Sequence, residues 1–290
     1  MIYAIDRVAV SIGGFDIYWY GILIFTGMIC AYFLANHEMV KKGFSDETLT
    51  EMMVYIIVFS LVGARLYFVL FNLDYYLLHP LDIIKVWEGG MAIHGGLIGG
   101  VLAGYYYTRK NNYSFFQFGD MLMPSVLLGQ AIGRWGNFIN QEAHGGPVSR
   151  AFLETLRLPE FIINQMYIDG VYYHPTFLYE SIWNVVGIFI LMRLRPKLKI
   201  GQTFLLYLIY YSIGRFFIEG MRTDSLMILD LLRTAQVMSL SLIILAIIVW
   251  IYRNKKYDLP VYGNVHGNFN TFNKKQRATV KQNTKKKKRK

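Results

Sequence analysis

Gly133-Arg134-Trp135-Gly136-Asn137-Phe138-Ile139-Asn140-Gln141-Glu142, closed by Gly145-Gly146, stands at the end of a long apolar run, residues 115–134. Apolar runs of that length belong in lipid, where a charged side chain costs roughly 2.5–3.5 kcal/mol on insertion scales. A helix end whose arginine snorkels to the interface accounts for Arg134. It does not account for the Asn137, Asn140 and Glu142 that follow. The stretch therefore sets two expectations at once: a membrane-embedded helix, and a polar site built at its end.

The rest of the chain agrees with the first expectation. It has 290 residues, of which 54% are hydrophobic and 16% aromatic. That is too apolar for a soluble domain and fits a polytopic membrane protein. Seven apolar stretches stand out, at roughly 17–36, 50–71, 90–107, 115–134, 175–193, 202–220 and 235–252. The fold expected is all-α, with about seven transmembrane helices. The third stretch is glycine-rich, and Gly96, Gly100 and Gly104 share one stripe of the kind that lets helices approach closely. Only Arg7 precedes the first stretch in the way of positive charge, and no small-residue cleavage pattern follows it, so it reads as a retained span.

The net charge of +11 is concentrated in a tail. Residues 253–290 hold 13 Lys/Arg and a single acid, Asp258, whereas 1–252 hold 17 basic and 18 acidic residues. The basic run ending Lys285-Lys286-Lys287-Lys288-Arg289-Lys290 reads as a disordered cytoplasmic extension able to rest on anionic lipid, not as a nucleic-acid site. Two parts follow: an integral-membrane domain over 1–252 and the tail over 253–290. Cys30, the lone cysteine, excludes an internal disulfide and reads as a small packing residue.

Loop charges give the orientation. Lys41, Lys42, Arg109, Lys110, Arg193, Arg195, Lys197 and Lys199 follow stretches one, three and five, while the other loops are poor in Lys/Arg or balanced by acids. The positive-inside rule then puts the N-terminus outside and the C-terminus inside, as an odd number of spans requires. Loop 135–174 lies outside and is long enough to form a small cap over a site at the outer membrane surface.

Ionisable residues in the spans are few. His94, flanked by Gly89-Gly90 and Gly95-Gly96, offers an accessible imidazole suited to proton transfer near neutral pH. Tyr211, Arg215 and Glu219 recur every four residues, so they share one helix face. Arg65 reads as structural, with Glu180 as its candidate partner, and Asp120 as a helix-end charge. His94, Arg134, Arg215 and Tyr20 all map to the outer half of their spans. Two arginines in an apolar setting suit a phosphate, which at that depth is a lipid headgroup. No metal-ligand spacing, phosphate-cradling loop or Gly-x-Ser-x-Gly elbow occurs. A lipid or anion carrier would spread such groups through both membrane halves or carry an inverted repeat, and no repeat is visible.

With these residues the chain resembles the bacterial prolipoprotein diacylglyceryl transferases. The family's Gly-Arg-x-Gly-Asn-Phe-x-Asn-x-Glu-x-x-Gly string is met by Gly133, Arg134, Gly136, Asn137, Phe138, Asn140, Glu142 and Gly145. Supporting segments occur in order: Gly89-Gly90-Met91-Ala92-Ile93-His94-Gly95-Gly96, His174-Pro175-Thr176-Phe177-Leu178-Tyr179-Glu180 and Tyr211-Ser212-Ile213-Gly214-Arg215-Phe216-Phe217-Ile218-Glu219. The resemblance covers about 1–252. It implies transfer of diacylglycerol from phosphatidylglycerol to the lipobox cysteine in a prolipoprotein signal peptide, releasing glycerol 1-phosphate, at a bacterial plasma membrane and on its outer side. It implies catalytic roles for His94, Arg134 and Arg215, and substrate binding by Arg134 with Tyr20, Asn137, Asn140, Glu142, Gly145, Tyr211 and Glu219. No metal or other cofactor is implied, and the only other partners are membrane lipids.

Overall fold

A computed structural model describes residues 5–223, 227–228 and 232–269. The chain is mostly helical over these residues. A hairpin of β1 (Val8–Ile12) and β2 (Phe15–Tyr18) leads into α1 (Trp19–Lys41), α2 (Glu47–Leu70), the short α3 (Leu73–Tyr76), α4 (Ile93–Lys110) and α5 (Phe115–Asn140). A small region follows, with β3 (Pro147–Val148), α6 (Arg150–Thr155), α7 (Glu160–Gln165), β4 (Tyr167–Ile168) and β5 (Val171–Tyr173). Then come α8 (Thr176–Leu194), α9 (Gln202–Met221) and α10 (Thr234–Lys256).

Five of these helices, α1, α2, α8, α9 and α10, are long and apolar enough to cross a membrane. Their apolar side chains stay largely uncovered by protein, as Ile57, Phe189 and Ile248 illustrate, which is the pattern expected where lipid is the solvent. The other two expected spans fall on α4 and α5. Glycines dilute the first. Gln117, Asp120, Gln130, Arg134, Asn137 and Asn140 dilute the second, which also carries Pro124.

The described residues form two compact units, one drawn from 5–35 and from those between 119 and 264, the other from 36–118 and 265–269. In the second unit α2 and α4 pack through glycine. A Cβ on Gly63 would stand 3.2 Å from the Gly99 Cα, and one on Gly95 or Gly99 would overlap the facing α2 backbone. The closest approach thus belongs to Gly95 and Gly99. The expected stripe lies one residue further on, with Gly96 and Gly100 against Ala64 and the Ser60 Oγ. Arg65 closes the other end of this unit. Its guanidinium donates to the carbonyls of Asp82 (2.5 Å), Ile83 (2.8 Å), Lys85 (3.3 Å), Gly89 (2.6 Å) and Gly90 (2.9 Å). Backbone oxygens, not Glu180, therefore satisfy it.

In the first unit α1 meets α5 where Gly27 faces Gly129. α8 meets α9 where the Trp183 indole stacks on Tyr210 (centroids 4.5 Å apart) above Gly214. Asp120 is fully buried and accepts from the backbone N–H of Gly201 (2.5 Å) and Phe204 (2.8 Å). It is thus the cap of a neighbouring helix, satisfying α9's orphan donors, and not a solvated end charge.

Residues 135–174 divide between the last turn of α5 and a folded cap. Sheet order β3-β5-β4 pairs Pro147 with Tyr173 and Tyr167 with Tyr172. Phe138, Leu153, Ile162, Ile163, Met166 and Phe177 form its buried core. The Gln165 amide donates to the carbonyls of Phe138 and Ile139, which the ending helix leaves without partners.

The expected boundary at 252 falls inside α10. Beyond that helix, Tyr262 is buried, and its N–H donates to the Leu198 carbonyl (2.8 Å). Phe269 is buried too, its N–H on the Gln117 side chain (2.8 Å). The tail expected to be disordered from 253 thus begins as packed chain, because Tyr262 and Phe269 supply apolar anchors that lysine runs lack. The lysine-rich end, 270–290, lies outside the described residues.

Candidate active site

The signature helix does not stop at Arg134. α5 continues six residues to Asn140, so Arg134 and Asn137, three apart, share one helix face. The chain then leaves the helix through Gln141 (φ 54°) and Ala143 (φ 57°), left-handed positions that ordinary side chains rarely adopt. The Glu142 N–H turns back to the Asn137 carbonyl (3.0 Å), and the Asn137 amide donates to the Glu142 carboxylate (2.8 Å). Thr176 holds the Ala143 carbonyl (2.5 Å). Gly145 is required where it stands: a Cβ there would lie 2.6 Å from the His174 Cβ and 3.3 Å from the Met221 carbonyl. Its N–H donates to the His174 carbonyl (3.0 Å).

At the centre of this unit four charged side chains from three helices meet. Glu180 of α8 is buried, with its side chain 8% exposed. It receives the Arg134 Nε on one oxygen and the Arg215 Nη1 on the other (3.0 Å). Arg215 also reaches Glu219 through Nη2 (2.6 Å), one turn along α9. The Arg233 guanidinium donates to the Glu219 backbone carbonyl. Tyr211 stands over the cluster: its hydroxyl lies 3.5 Å from the Arg134 Nη2, and its ring stacks on Tyr207. Low-dielectric surroundings strengthen such pairs but also raise the cost of leaving either partner alone.

Beside the cluster, α1 and α5 leave a cleft of about 350 Å³. Tyr20, Ile24, Met28, Gln130, Arg134 and Asn137 are among its lining residues. The cleft is apolar along its length and polar at one end, where Tyr20 lies over Gly136: a Cβ there would come within 2.7 Å of the Tyr20 ring. Asn140 ends α5, half-buried, below the cap.

The structure thus brings Tyr20, Arg134, Asn137, Glu142, Gly145, Tyr211, Arg215 and Glu219 into one unit. His94 belongs to the other, where it is the second residue of α4, exposed, with its ring 6.1 Å from that of Tyr67. Sequence reasoning missed the role of Glu180. The signal was there: a glutamate in an apolar helix needs a cation, and Arg134 and Arg215 both needed an anion. Two further histidines, both in the cap, were given no role: His144 was passed over, and His174 was quoted only as part of a supporting segment. His144 packs on the Tyr173 ring (4.1 Å), and His174 Nδ1 lies 3.2 Å from the Tyr179 hydroxyl. Burial pushes the His174 imidazole below its ordinary pKa.

The sequence profile of the prolipoprotein diacylglyceryl transferase family matches residues 7–252. Curated relatives from Staphylococcus aureus strains MSSA476 and JH9 are named phosphatidylglycerol–prolipoprotein diacylglyceryl transferase. Each is 54% identical over 261 residues, covering 90% of this chain and 94% of the relative.

Proposed function

The chain belongs to the prolipoprotein diacylglyceryl transferase family, and on that premise we propose that it moves the diacylglyceryl group of phosphatidylglycerol onto the lipobox cysteine of a prolipoprotein. The cysteine sulfur forms a thioether bond to the glyceryl carbon. The bond from that carbon to the phosphate oxygen breaks, and its electron pair leaves with glycerol 1-phosphate.

The observation that carries this reading is Arg134 at the polar end of an apolar cleft, joined through Glu180 to Arg215 behind it. The thiolate, not the thiol, is the nucleophile, so a base must take the thiol proton. His94 is proposed for that step because its imidazole is exposed at the start of a helix, and a neutral imidazole nitrogen can accept a proton. The leaving phosphate gains charge as the C–O bond breaks, and the cationic centre of Arg134, backed by Arg215, would stabilise it where water is scarce. Tyr20 and Asn137 line the cleft beside Arg134 and would hold the headgroup. Asn140, Glu142 and Gly145 would shape the turn above it, while Tyr211 and Glu219 hold the arginines.

The reading includes a setting. Seven spans, with α4 and α5 counted among them, follow from the apolar stretches, and an outside N-terminus and an inside C-terminus from the loop charges. The site would then face outward across a bacterial plasma membrane, with the cap at the outer surface and residues 1–252 as the catalytic domain.

The test is direct. Purified protein in vesicles of phosphatidylglycerol, given a lipobox peptide, should add a diacylglyceryl mass to the peptide cysteine and release glycerol 1-phosphate in equal amount. A folded, inserted protein that yields neither product would refute the assignment.

A further inference from the structure

Glu180 touches both arginines and is fully occupied by them: the Arg134 Nε takes one oxygen, the Arg215 Nη1 the other. The two cations differ in which edge they give up. Arg134 is tied at Nε, on the side of its guanidinium. Its terminal nitrogens keep only the 3.5 Å approach of Nη2 to the Tyr211 hydroxyl, and it is the arginine that lines the cleft. Arg215 is tied at its terminal edge, with Nη1 on Glu180 and Nη2 on Glu219 (2.6 Å). The fork that would grip a phosphate is therefore open on Arg134 and occupied on Arg215.

From this geometry we propose that Glu180 is the positioning residue of the site. It fixes Arg134 so that its terminal edge faces the lipid phosphate, and Arg215 acts through it. This rests on the transferase reading above and adds a division of labour within the arginine pair. It also adds a charge argument. Glu180 and Glu219 offset the charge of Arg134 and Arg215 between them, so the phosphodiester meets a cluster far less positive than two bare guanidinium groups. The leaving phosphate monoester bears more negative charge than the diester. Two unbalanced arginines would hold that product tightly, whereas Glu180 and Glu219 temper the attraction and let it go.

Kinetics can separate this from a merely structural role. Glu180→Gln keeps the shape and removes the charge. We expect kcat to fall on the order of 10–100-fold as Arg134 loses its anchor, while KM for phosphatidylglycerol does not rise. Inhibition by added glycerol 1-phosphate should strengthen several-fold. Arg215→Gln should lower kcat strongly in the native background and add less than about threefold in the Glu180→Gln background, because residues acting as one unit are not additive. If Glu180→Gln fails to accumulate in the membrane, Glu180→Asp and Arg215→Lys complete the same cycle. The shorter carboxylate keeps the charge but cannot span both cations. Losses that multiply would overturn the proposal, as would product inhibition that weakens, or a native kcat in Glu180→Gln. A native enzyme without turnover would instead refute the transferase reading itself.

Discussion

Arg65→Met should open the segment that precedes His94 while leaving the helices in place. Five backbone carbonyls between Asp82 and Gly90 accept from this one guanidinium, which also lies 5.3 Å from the Tyr76 ring centroid. Hydrogen bonds to a charged group contribute about 1.5–3 kcal/mol each. The full sum is not lost, because an opened loop returns its carbonyls to water and the buried cation no longer needs partners. Counting two bonds at full strength gives about 3–6 kcal/mol, or a rise in the opening equilibrium on the order of 10²–10⁴-fold. Methionine fills a similar volume and adds no donor. Lysine restores the charge with three donors on a point-like head and should recover only part of the loss.

Hydrogen exchange followed by mass spectrometry, on protein in lipid nanodiscs, measures this locally. The amides of Lys85, Glu88, Gly89 and Ala92 are hydrogen-bonded to backbone in or beside this loop and should exchange faster by that factor in Arg65→Met, with α8 and α9 unchanged. Turnover should fall as well, because His94 lies in the first turn of the helix that this loop delivers. Unchanged exchange over 82–92, or acceleration spread evenly along the chain, would refute the argument that Arg65 holds the loop.

Three further outcomes are expected. His94→Gln should bind phosphatidylglycerol yet turn over roughly 10²–10⁴-fold more slowly, with partial rescue at high pH as the peptide thiol ionises unaided; loss of lipid binding without rescue would count against a base role. Alkaline phosphatase fused after Lys256 should be inactive and fused near Asp169 active, and activity at Lys256 would contradict the outside-to-inside topology. In the loop before α4, Lys85 and then Tyr75 hold the half-buried Asp82 carboxyl below its ordinary pKa. Its support of the loop is thus complete at neutral pH and is lost only as pH falls through that lowered value, so Asp82→Asn should speed exchange over 82–92 at pH 7 and make no difference in strong acid.

Hydropathy located every long helix because lipid-facing residues need only be apolar, and that is a property of each stretch alone. The ends were less legible. α5 runs past Arg134 to Asn140 because Gln165, far along the chain, takes its last carbonyls, and nothing local announces that partner. The hairpin Val8–Tyr18 was legible in principle: Gly13-Gly14 at positive φ separates two short alternating strands, the usual mark of a two-residue turn. It was overlooked as the approach to a span. The identities of the site residues could be read from the signature, but their pairing could not. Glu180 lies 46 positions after Arg134 and 35 before Arg215, and only the packing of α5, α8 and α9 decides which cation it meets.

Arginines in a membrane are commonly taken as one class of evidence, and this chain argues for sorting them by their donors. A guanidinium carries five N–H groups. Arg65 directs its donors onto five carbonyls of one loop, so it fixes backbone and has nothing to offer a ligand. Arg215 has its terminal edge on two carboxylates; its charge is felt at the site while its fork is taken. Arg134 gives Glu180 its Nε and lines the cleft with its terminal nitrogens lightly held. Each is paired, as burial in a poorly solvating medium demands. Under the proposed function, what separates structure from chemistry is which edge the pairing consumes, and of these three only Arg134 lines the cleft with its terminal edge lightly held.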